Sequence, residues 1–288
     1  MTVYGFIGAG NMAGAIVRGT IAAGTPTTDV LLTSAHDSAA RLARATGARH
    51  MTEAAELVAV SDVVVLAVKP HVVPTALAPL LEALASSRPL VLSIAAGLTT
   101  EQLAEMLPPG ARVVRAMPNM AAAVRQSMTA LVAGAAATDT DLETARALLG
   151  SVGRTLVLAE QDFSAFTALA GSSPAFVFQF IEALARGGVA AGIPKAQAVE
   201  IVTQAVLGSA LTVQAEAEQT AKARAATAAR STPTAGVRGR TPADLIDAVS
   251  SPGGTTVAGL VALERAGFSP ALLAGVEATI ARDRELGV

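Results

Sequence analysis

Apolar and polar positions follow different patterns in the two halves of the chain. Up to Ala159, short continuous apolar runs such as Val63-Val64-Val65-Leu66-Ala67 alternate with amphipathic stretches. Such runs indicate strands that are buried on both faces, and their alternation with helical stretches is typical of a parallel sheet with helical crossovers. The pattern predicts five strands, at Val3–Ile7, Val30–Thr33, Val63–Ala67, Leu90–Ile94 and Arg112–Ala116.

Two further strands are predicted to extend this sheet, around Met128–Val132 and Thr155–Leu158, with a helix at Asp139–Gly150 between them. The alternation of strands and helices then ends near Ala159. We therefore predict an N-terminal domain over residues 1–159, built as a doubly wound α/β sheet of the Rossmann type.

From Asp162 the pattern changes to alanine-rich helical periods with almost no strand signal. The predicted helices are Phe163–Gly188 with an interruption at Gly171–Pro174, Lys195–Glu218, Asp244–Val249, Thr255–Ala266 and Pro270–Glu285. Residues 160–288 are therefore expected to form a second, all-helical domain. Residues 217–240 lack an apolar stripe, and we predict an insertion there whose latter half is a mobile surface segment.

The first predicted strand runs directly into Gly8-x-Gly10-x-x-Ala13, and a helical stretch, Met12–Ala23, follows it. This context is typical of a dinucleotide-binding turn, in which the first glycine allows a tight turn and the second admits a pyrophosphate. The phosphates of such a ligand lie over the N-terminus of the helix. The predicted cofactor-binding residues here are Ile7, Gly8, Ala9, Gly10, Asn11 and Met12.

The end of the second strand bears on the choice between NADPH and NADH. NAD-selective sites place an acidic side chain there to bind the ribose 2′-hydroxyl, whereas this strand ends in Thr33-Ser34-Ala35-His36. The hydroxyl of Ser34 tolerates a 2′-phosphate, so we predict that NADPH is preferred. NADH remains possible, because Arg41 lies on the following helix and Asp37 is near enough in sequence to swing in.

Composition narrows the class of protein. The 288 residues are 52% hydrophobic and 15% charged, with a mean hydropathy of +0.51. So few charges predict a globular chain that buries apolar surface between subunits as well as within them. A net charge of −2 provides no basic field for nucleic acid.

Several other features exclude classes of site or location. The chain has no cysteine, and its three histidines share no metal-ligand spacing, so no metal is expected. Apolar runs such as Val63–Val68 and Ala170–Ile181 are shorter than a membrane span or are broken by Gly, Pro and Gln. The N-terminus enters a strand at once, without a charged leader. We expect a cytoplasmic protein that binds neither membrane nor nucleic acid.

A set of short motifs, spread over nearly the whole chain apart from the predicted insertion, resembles the pyrroline-5-carboxylate reductase family. The motifs keep the order of that family. They are Phe6–Met12, Ala67–Pro70, Ser93–Gly97, Met117–Asn119, Ser172 before Pro174–Phe176, Gly187–Val189, Ser251–Thr256, Gly259-Leu260 and Leu263-Glu264.

The resemblance implies reduction of the cyclic imine 1-pyrroline-5-carboxylate to L-proline by hydride from a nicotinamide, the last step of proline biosynthesis. It implies that backbone N–H groups of Gly253, Gly254 and Thr255 bind the substrate carboxylate. The Thr256 hydroxyl would contact the ring nitrogen, and Ser172 would line the pocket opposite. Either Thr256 relays the proton, or the imine is protonated before it binds.

The resemblance also implies a cofactor groove and an assembly. The groove would be lined by Ala67, Val68, Lys69, Pro70, Ala95, Ala96, Gly97 and Asn119, at the ends of strands where a doubly wound fold binds its ligand. The helical domain would mediate dimerisation, and family dimers often assemble into a ring of five; the sequence leaves open whether this protein is a dimer or a decamer. Small side chains in alanine-rich helices suit close packing.

Three departures from the family pattern leave alternatives open. Met120-Ala121 replaces Thr-Pro, Ser173 replaces a glycine, and Ala54 stands where the family has an asparagine that contacts the cofactor. The predicted insertion also replaces a short helix connection before Asp244. The alternatives are a related cyclic-imine reductase with another substrate, or a nucleotide-binding paralogue with weak activity.

Overall fold

The computed structural model describes residues 2–228 and 239–286. They fall into two compact units. The first contains the chain up to Pro174 and again from Val276, and the second contains Ala175–Gly275. The sheet lies in the first unit, and the second unit is built from helices. The predicted fold class, a Rossmann-type sheet followed by a helical region, is confirmed.

One eight-stranded sheet forms the centre of the first unit, in the order β3-β2-β1-β4-β5-β6-β7-β8. All neighbouring strands are parallel except β6 and β7. The strands are β1 Tyr4–Ile7, β2 Val30–Thr33, β3 Arg49–His50, β4 Val63–Leu66, β5 Leu90–Ser93, β6 Arg112–Met117, β7 Ser127–Ala133 and β8 Gly153–Val157.

All seven predicted strands are present, with ends that differ by at most two residues. The strand that was not predicted is β3, a two-residue strand at the edge of the sheet whose Arg49 and His50 are exposed. So short and polar a segment has no apolar alternation from which a strand could be predicted.

The helices follow the strands in the expected alternation. In chain order they are α1 Asn11–Ala22, α2 Ser38–Thr46, α3 Ala54–Val60, α4 Val73–Leu77, α5 Leu81–Ser87, α6 Thr100–Glu105, α7 Asp139–Gly150, α8 Phe163–Phe166, α9 Ser173–Ala190, α10 Lys195–Ala228, α11 Pro242–Ala248, α12 Thr255–Arg265 and α13 Phe268–Leu286. Short 3₁₀ turns lie at Thr27–Asp29, Pro70–Val72, Ala78–Leu80, Met120–Val124 and Glu160–Asp162, and a π-helix lies at Thr167–Ser172.

The sheet is covered on both faces, which explains its continuous apolar strands. Phe6 lies in one buried cluster with Val65 and Ile16, and its neighbour Ile7 lies in the opposite cluster with Val64. Successive strand residues point to opposite faces, so a strand between two helical layers must be apolar at every position.

Capping boxes explain several helix starts. The hydroxyl of Thr138 accepts the N–H of Asp141, whose carboxylate accepts the N–H of Thr138, and α7 begins at the predicted residue. The same reciprocal pattern links Thr241 to Asp244 before α11. Each box gives hydrogen-bond partners to N–H groups that would otherwise have none at a helix start.

The long helix α10 does not end at Glu218 as predicted but continues to Ala228, since its alanine-rich sequence favours helix even without an apolar stripe. Residues 229–238, which contain most of the segment predicted to be mobile, lie outside the described residues. Just beyond them, Arg240 donates hydrogen bonds to the Glu216 carboxylate on α10. These bonds lower the pKa of Glu216.

The helices of the second unit leave large apolar side chains exposed, among them Phe178, Ile201 and Leu211. By length and composition alone, the helical segments Glu160–Ala190 and Lys195–Ala223 could cross a membrane, and the bent pair Thr255–Arg265 and Phe268–Glu285 could supply a third span. For the run Ala170–Ile181, the expectation that it is too short or too broken to span a membrane was therefore wrong by this criterion, because Gly171 and Pro174 do not end the helical segment.

Close helix packing in the first unit leads to a stability prediction. A Cβ at Gly19 on α1 would overlap Val152 Cγ1 just after α7, whereas a Cβ at Gly150 would meet nothing within 4 Å. Gly19→Ala is expected to lower the free energy of unfolding by about 1–2 kcal/mol through overpacking. Gly150→Ala, the matched control, should leave it unchanged or raise it by about 0.5 kcal/mol. Urea unfolding at one protein concentration measures both, and equal midpoints would contradict this packing.

Candidate active site

The turns that follow β1, β4 and β5 lie side by side at one edge of the sheet. Hydrogen bonds extend the ladder beyond the strands, from Ala67 N to Ile7 O over 2.9 Å and from Ile94 N to Leu66 O over 3.1 Å. The strand order reverses direction between β1 and β4. In open α/β sheets, ligands bind at the carboxyl edge beside this switch point.

Gly8 is confined by its neighbours at the switch point. Its φ is +103°, and a Cβ there would lie 2.6 Å from Ala67 O and 2.9 Å from Val68 Cγ1. Its N–H donates to Thr33 O over 2.8 Å. The turn therefore connects the ends of β1, β2 and β4, and only glycine fits it without strain.

Gly10, unlike Gly8, is not confined by its neighbours, because a Cβ there would meet nothing within 4 Å. It precedes α1 in an extended conformation, no side chain caps that helix, and its first turn carries no acidic residue. The N–H groups at the start of α1 thus face open space beside a positive helix end, which suits an anionic group. Residues Ile7–Met12 therefore fit the pyrophosphate of a dinucleotide.

At the end of β2, the Ser34 hydroxyl helps to form the turn into α2. It donates to His36 O over 2.5 Å and accepts the N–H of Ala39 and the hydroxyl of Ser38, each at 3.0 Å. Ser34 is half-buried. These bonds stabilise the turn. Because the residue is a serine, this position carries no acidic group.

The carboxylate near this turn is itself neutralised. Asp37 Oδ2 lies 3.1 Å from Arg41 Nη1 and 3.7 Å from Arg44 Nη2, all on exposed side chains of α2 or its start. Two guanidinium groups of α2 therefore share one carboxylate at the start of that helix. The local charge is net positive.

The turns after β4 and β5 differ in exposure. Lys69 is exposed, and Pro70 begins a 3₁₀ turn, while Ala67 and Val68 are half-buried. After β5, Ala95 is buried, Ala96 is exposed and Gly97 has a φ of +83°. Both turns present backbone at the edge where Gly8 and Gly10 lie.

Asn119, just after β6, forms hydrogen bonds with its side chain and its backbone N–H. Its side-chain oxygen accepts the N–H of Ala121 over 3.2 Å, and its Nδ2 donates to Ala170 O over 2.8 Å. Its own N–H donates to Ser127 Oγ over 3.1 Å. The predicted cofactor residue Asn119 thus links the end of β6 to the π-helix.

Ser172 is the last residue of that π-helix, a type of helix that is often found at functional sites. It is half-buried, and it lines a cavity of about 380 Å³ in the first unit. The other residues of the cavity wall are Thr167, Ala278, Thr279, Arg282 and Asp283.

The loop before α12, in the second unit, forms another open helix start. Gly253 has a φ of +68°, and a Cβ at Gly254 would overlap Ser251 Oγ and lie 3.0 Å from Ser251 O. No side chain caps α12, and its first turn, with Thr255 and Thr256 exposed, carries no acidic residue. Like α1, this helix offers N–H groups and a positive end to an anion.

The predicted residues are thus divided between the units. Ser172 and all predicted cofactor residues belong to the first unit, and Gly253, Gly254, Thr255 and Thr256 belong to the second. Within the described ranges, there is no group of three or more His, Cys, Asp or Glu side chains that could hold a metal ion.

The departures from the family pattern are accommodated in the structure. Ser173 donates its hydroxyl to Leu169 O over 2.7 Å, so the side chain folds back onto its own helix. Ala54 begins α3 and packs against a buried cluster. Met120 begins the 3₁₀ turn after Asn119, and it is 57% exposed near the end of β6.

A buried charge on β6 was not predicted from the sequence. Arg115 on β6 forms an ion pair with Glu160, and its guanidinium carbon lies 4.3 Å from the centroid of the Phe163 ring. An arginine inside the apolar run Arg112–Met117 was the available signal, because a charge in a buried strand requires a partner.

Comparison with known proteins adds independent evidence. Residues 160–286 match the family model for pyrroline-5-carboxylate reductase dimerisation, and residues 3–97 match the model named NADP oxidoreductase, coenzyme F420-dependent. The pyrroline-5-carboxylate reductase of Arabidopsis thaliana is 39% identical over 284 residues, which cover 98% of this chain and 94% of that protein.

Two solved structures share the fold over nearly their whole length. A pyrroline-5-carboxylate reductase from Coxiella burnetii has a TM-score of 0.86 and 30% identity, covering 99% of this chain and 98% of that one. The Plasmodium falciparum pyrroline carboxylate reductase, solved with NADP bound, has a TM-score of 0.81 and 26% identity, covering 100% and 98%.

The matched dimerisation region supports a homo-oligomer and offers a reason for the exposed apolar side chains of the second unit. The sheet, the glycine turn at its switch point and the helical region agree with the full-length relatives. This chain is an oxidoreductase that belongs to the pyrroline-5-carboxylate reductase family.

Proposed function

We propose that this protein reduces 1-pyrroline-5-carboxylate to L-proline, the last step of proline biosynthesis, with NADPH preferred over NADH. The observation that carries the proposal is the pair of uncapped, acid-free helix starts, α1 after Gly10 and α12 after Gly254. One suits the pyrophosphate of a cofactor, and the other suits the carboxylate of a small substrate.

The cofactor residues act by binding and orientation. The N–H groups after Gly10 bind the pyrophosphate, and the turns Ala67–Pro70 and Ala95–Gly97 line the groove toward the nicotinamide. When bound, the nicotinamide supplies the hydride. Asn119 acts by holding the end of β6 against the π-helix through Ala170 O. The protein thus contributes mainly position, which alone can account for large rate effects.

The substrate residues hold the imine and its charge. Backbone N–H groups of Gly253, Gly254 and Thr255 bind the carboxylate, and the Thr256 hydroxyl contacts the ring nitrogen. Ser172 lines the opposite wall of the pocket. A hydroxyl is a weak acid, so the imine nitrogen is protonated either through Thr256 or in solution before binding.

The preference for NADPH follows from the charges after β2. Position 34 carries a serine and no carboxylate, and the carboxylate of Asp37 is paired with Arg41 and Arg44. A 2′-phosphate would therefore meet a net positive environment. NADH, which lacks that phosphate, remains a usable but weaker cofactor.

We also propose a dimer formed through the helical region, with five dimers in a ring. In this assembly the Ser251–Thr256 loop of one subunit completes the site beneath the nucleotide domain of its neighbour. Light scattering of the active enzyme tests the assembly, and an active, stable monomer would contradict it.

The dimerisation region includes both apolar segments that could span a membrane by composition. Their covering by another subunit, with the net charge of −2, supports a cytoplasmic protein without membrane or nucleic-acid partners. Fractionation of cells tests this location, and recovery in the membrane pellet would contradict it.

The direct test is the loss of NADPH absorbance with 1-pyrroline-5-carboxylate, with proline identified as the product. Six-membered and 2-carboxylate imines are run beside it, because exposed Met120 favours a related imine reductase as the second candidate. Selective proline formation supports the proposal. Faster turnover of another imine would support the second candidate, and nucleotide binding without turnover would support a weakly active paralogue.

Gly10→Ala separates cofactor binding from folding. A Cβ at Gly10 meets no described protein atom, so the stability of the free protein should not change. The same Cβ would crowd a pyrophosphate on α1, at a cost of about 1–3 kcal/mol. We expect the Kd for NADPH to rise about 5- to 150-fold in a fluorescence titration. Gly150→Ala serves as the control, and equal affinities in the two variants would place the cofactor elsewhere.

Charge substitutions after β2 should change cofactor preference in opposite directions. Ser34→Asp places a carboxylate beside the 2′-phosphate, and we expect the NADPH/NADH ratio of kcat/KM to fall at least about fivefold. Asp37→Asn frees Arg41 and Arg44, and because they are exposed the ratio should rise only about two- to fivefold. If neither ratio moves, the 2′ position does not lie at this turn.

Thr256→Ala tests the substrate side. Loss of a positioned hydroxyl should lower kcat/KM for the imine about 10- to 1,000-fold, while the Kd for NADPH stays within error. Thr144→Ala is the matched control, because that hydroxyl donates to Thr140 O on its own helix. An unchanged kcat/KM for Thr256→Ala would remove this residue from the mechanism.

A further inference from the structure

Arg115 is a buried cation in the middle of the sheet. It lies on β6 between Val114 and Ala116, and only 7% of its surface is exposed. Most strand positions around it are apolar, so the charge has a high desolvation cost unless it is compensated. The groups that compensate the charge of Arg115 therefore show which segments pack against β6 at this point.

Its compensation comes from the segment that leads into the π-helix. The guanidinium forms an ion pair with the Glu160 carboxylate, and it lies over the ring of Phe163 at 4.3 Å from the centroid. Glu160 is in the 3₁₀ turn before α8, and Phe163 begins α8. A stacked, ion-paired arginine fixes both the direction and the distance of that segment.

The second oxygen of Glu160 reaches a different part of the site. Glu160 Oε2 accepts the Thr100 hydroxyl over 2.7 Å and the Thr100 N–H over 3.2 Å. Thr100 begins α6, three residues after the Ala95–Gly97 turn that is proposed to line the cofactor groove. One carboxylate thus joins the segment after β5 to a side chain of β6.

The π-helix is held at its other end as well. Asn119 Nδ2 donates to Ala170 O over 2.8 Å, and Ser172 follows two residues later. The segment from Glu160 to Ser172 is therefore bonded to β6 by Arg115 near its start and to the turn after β6 by Asn119 near its end. Both ties lie within the first unit.

We propose that Arg115 and Glu160 are positioning residues for the reduction, which hold Ser172 in register with the Ala95–Gly97 turn. The inference rests on the proposed function, because it assumes that Ser172 lines the imine pocket. The pair touches neither substrate nor cofactor in this account. It acts through α8 and the π-helix on one side and through the start of α6 on the other.

Arg115→Met tests the role and is compared with Arg112→Met. Arg112 is on the same strand and is half-exposed; it forms an ion pair with Asp141 Oδ1 on α7 at 2.7 Å and donates to Arg88 O, and neither partner lies on α6 or α8. Displacement of a positioned group can lower a rate about 100-fold. We expect Arg115→Met to lower kcat/KM for the imine about 10- to 100-fold, whereas Arg112→Met lowers it less than about twofold, with the Kd for NADPH unchanged in both.

A double-mutant cycle with Ser172→Ala distinguishes positioning from general damage. If Arg115 acts through Ser172, adding Arg115→Met to Ser172→Ala should cost less than about twofold in kcat/KM, because coupled residues are not additive. Multiplicative effects of the two changes would overturn the proposal. Equal losses in Arg115→Met and Arg112→Met would overturn it too.

Smaller changes keep the test decisive if Arg115→Met does not fold. Arg115→Lys retains the charge without the planar, stacked guanidinium and should recover only part of the activity. Thr100→Val leaves the ion pair intact, removes one hydrogen bond to Glu160, and should raise the KM for the imine about threefold or more. Full wild-type kinetics in both variants would refute the positioning role. Failure of the proposed function can be distinguished from failure of the positioning role, because in that case the wild-type protein itself would not turn over the imine.

Discussion

The close approach of Gly8 to the carbonyl group of Ala67 is the constraint on which the nucleotide edge of the sheet depends. A side chain at Gly8 would lie 2.6 Å from that oxygen, so β1 and β4 could not end side by side. Because they do, α1 begins at the switch point of the sheet with its N–H groups open. The residues assigned to the cofactor then lie at the ends of neighbouring strands, in the turns that follow them or at the start of α1.

The helical part of the chain obeys a different constraint, since it leaves large apolar side chains exposed. Such surfaces require cover, and the dimerisation region of the family accounts for it. A second open helix start, at Gly254, belongs to this part. The reaction proposed here therefore uses one helix start from the part of the chain that contains the sheet and another from the region that matches the dimerisation model.

Much of this was predictable from sequence because the signals were local. Apolar runs identified seven of eight strands, and the capping box at Thr138 marks the start of α7 at the predicted residue. The glycine turn was predictable because its φ requirement leaves few alternatives. The helix α10 was predicted too short, because its end was inferred from the loss of an apolar stripe while alanine propensity continued the helix.

The missed features are those that depend on tertiary contacts. Nothing in the sequence pairs Arg115 with Glu160, which are 45 residues apart, or directs the Asn119 amide toward Ala170. The place of Ser172, which belongs to the same compact unit as the sheet, is likewise invisible in its spacing. The sequence pattern identifies Arg115 as an unusual residue in an apolar strand, but only the tertiary contacts show which segments it holds in place.

The central claim is direct hydride delivery to a cyclic imine from a nicotinamide cofactor whose pyrophosphate binds at the Gly8–Gly10 turn. The most direct measurement uses NADPH that carries deuterium at both C4 positions, with 1-pyrroline-5-carboxylate as substrate and mass spectrometry of the product. The account predicts proline with a single deuterium, at the former imine carbon. Unlabelled proline, or deuterated cofactor consumed without proline, would contradict it.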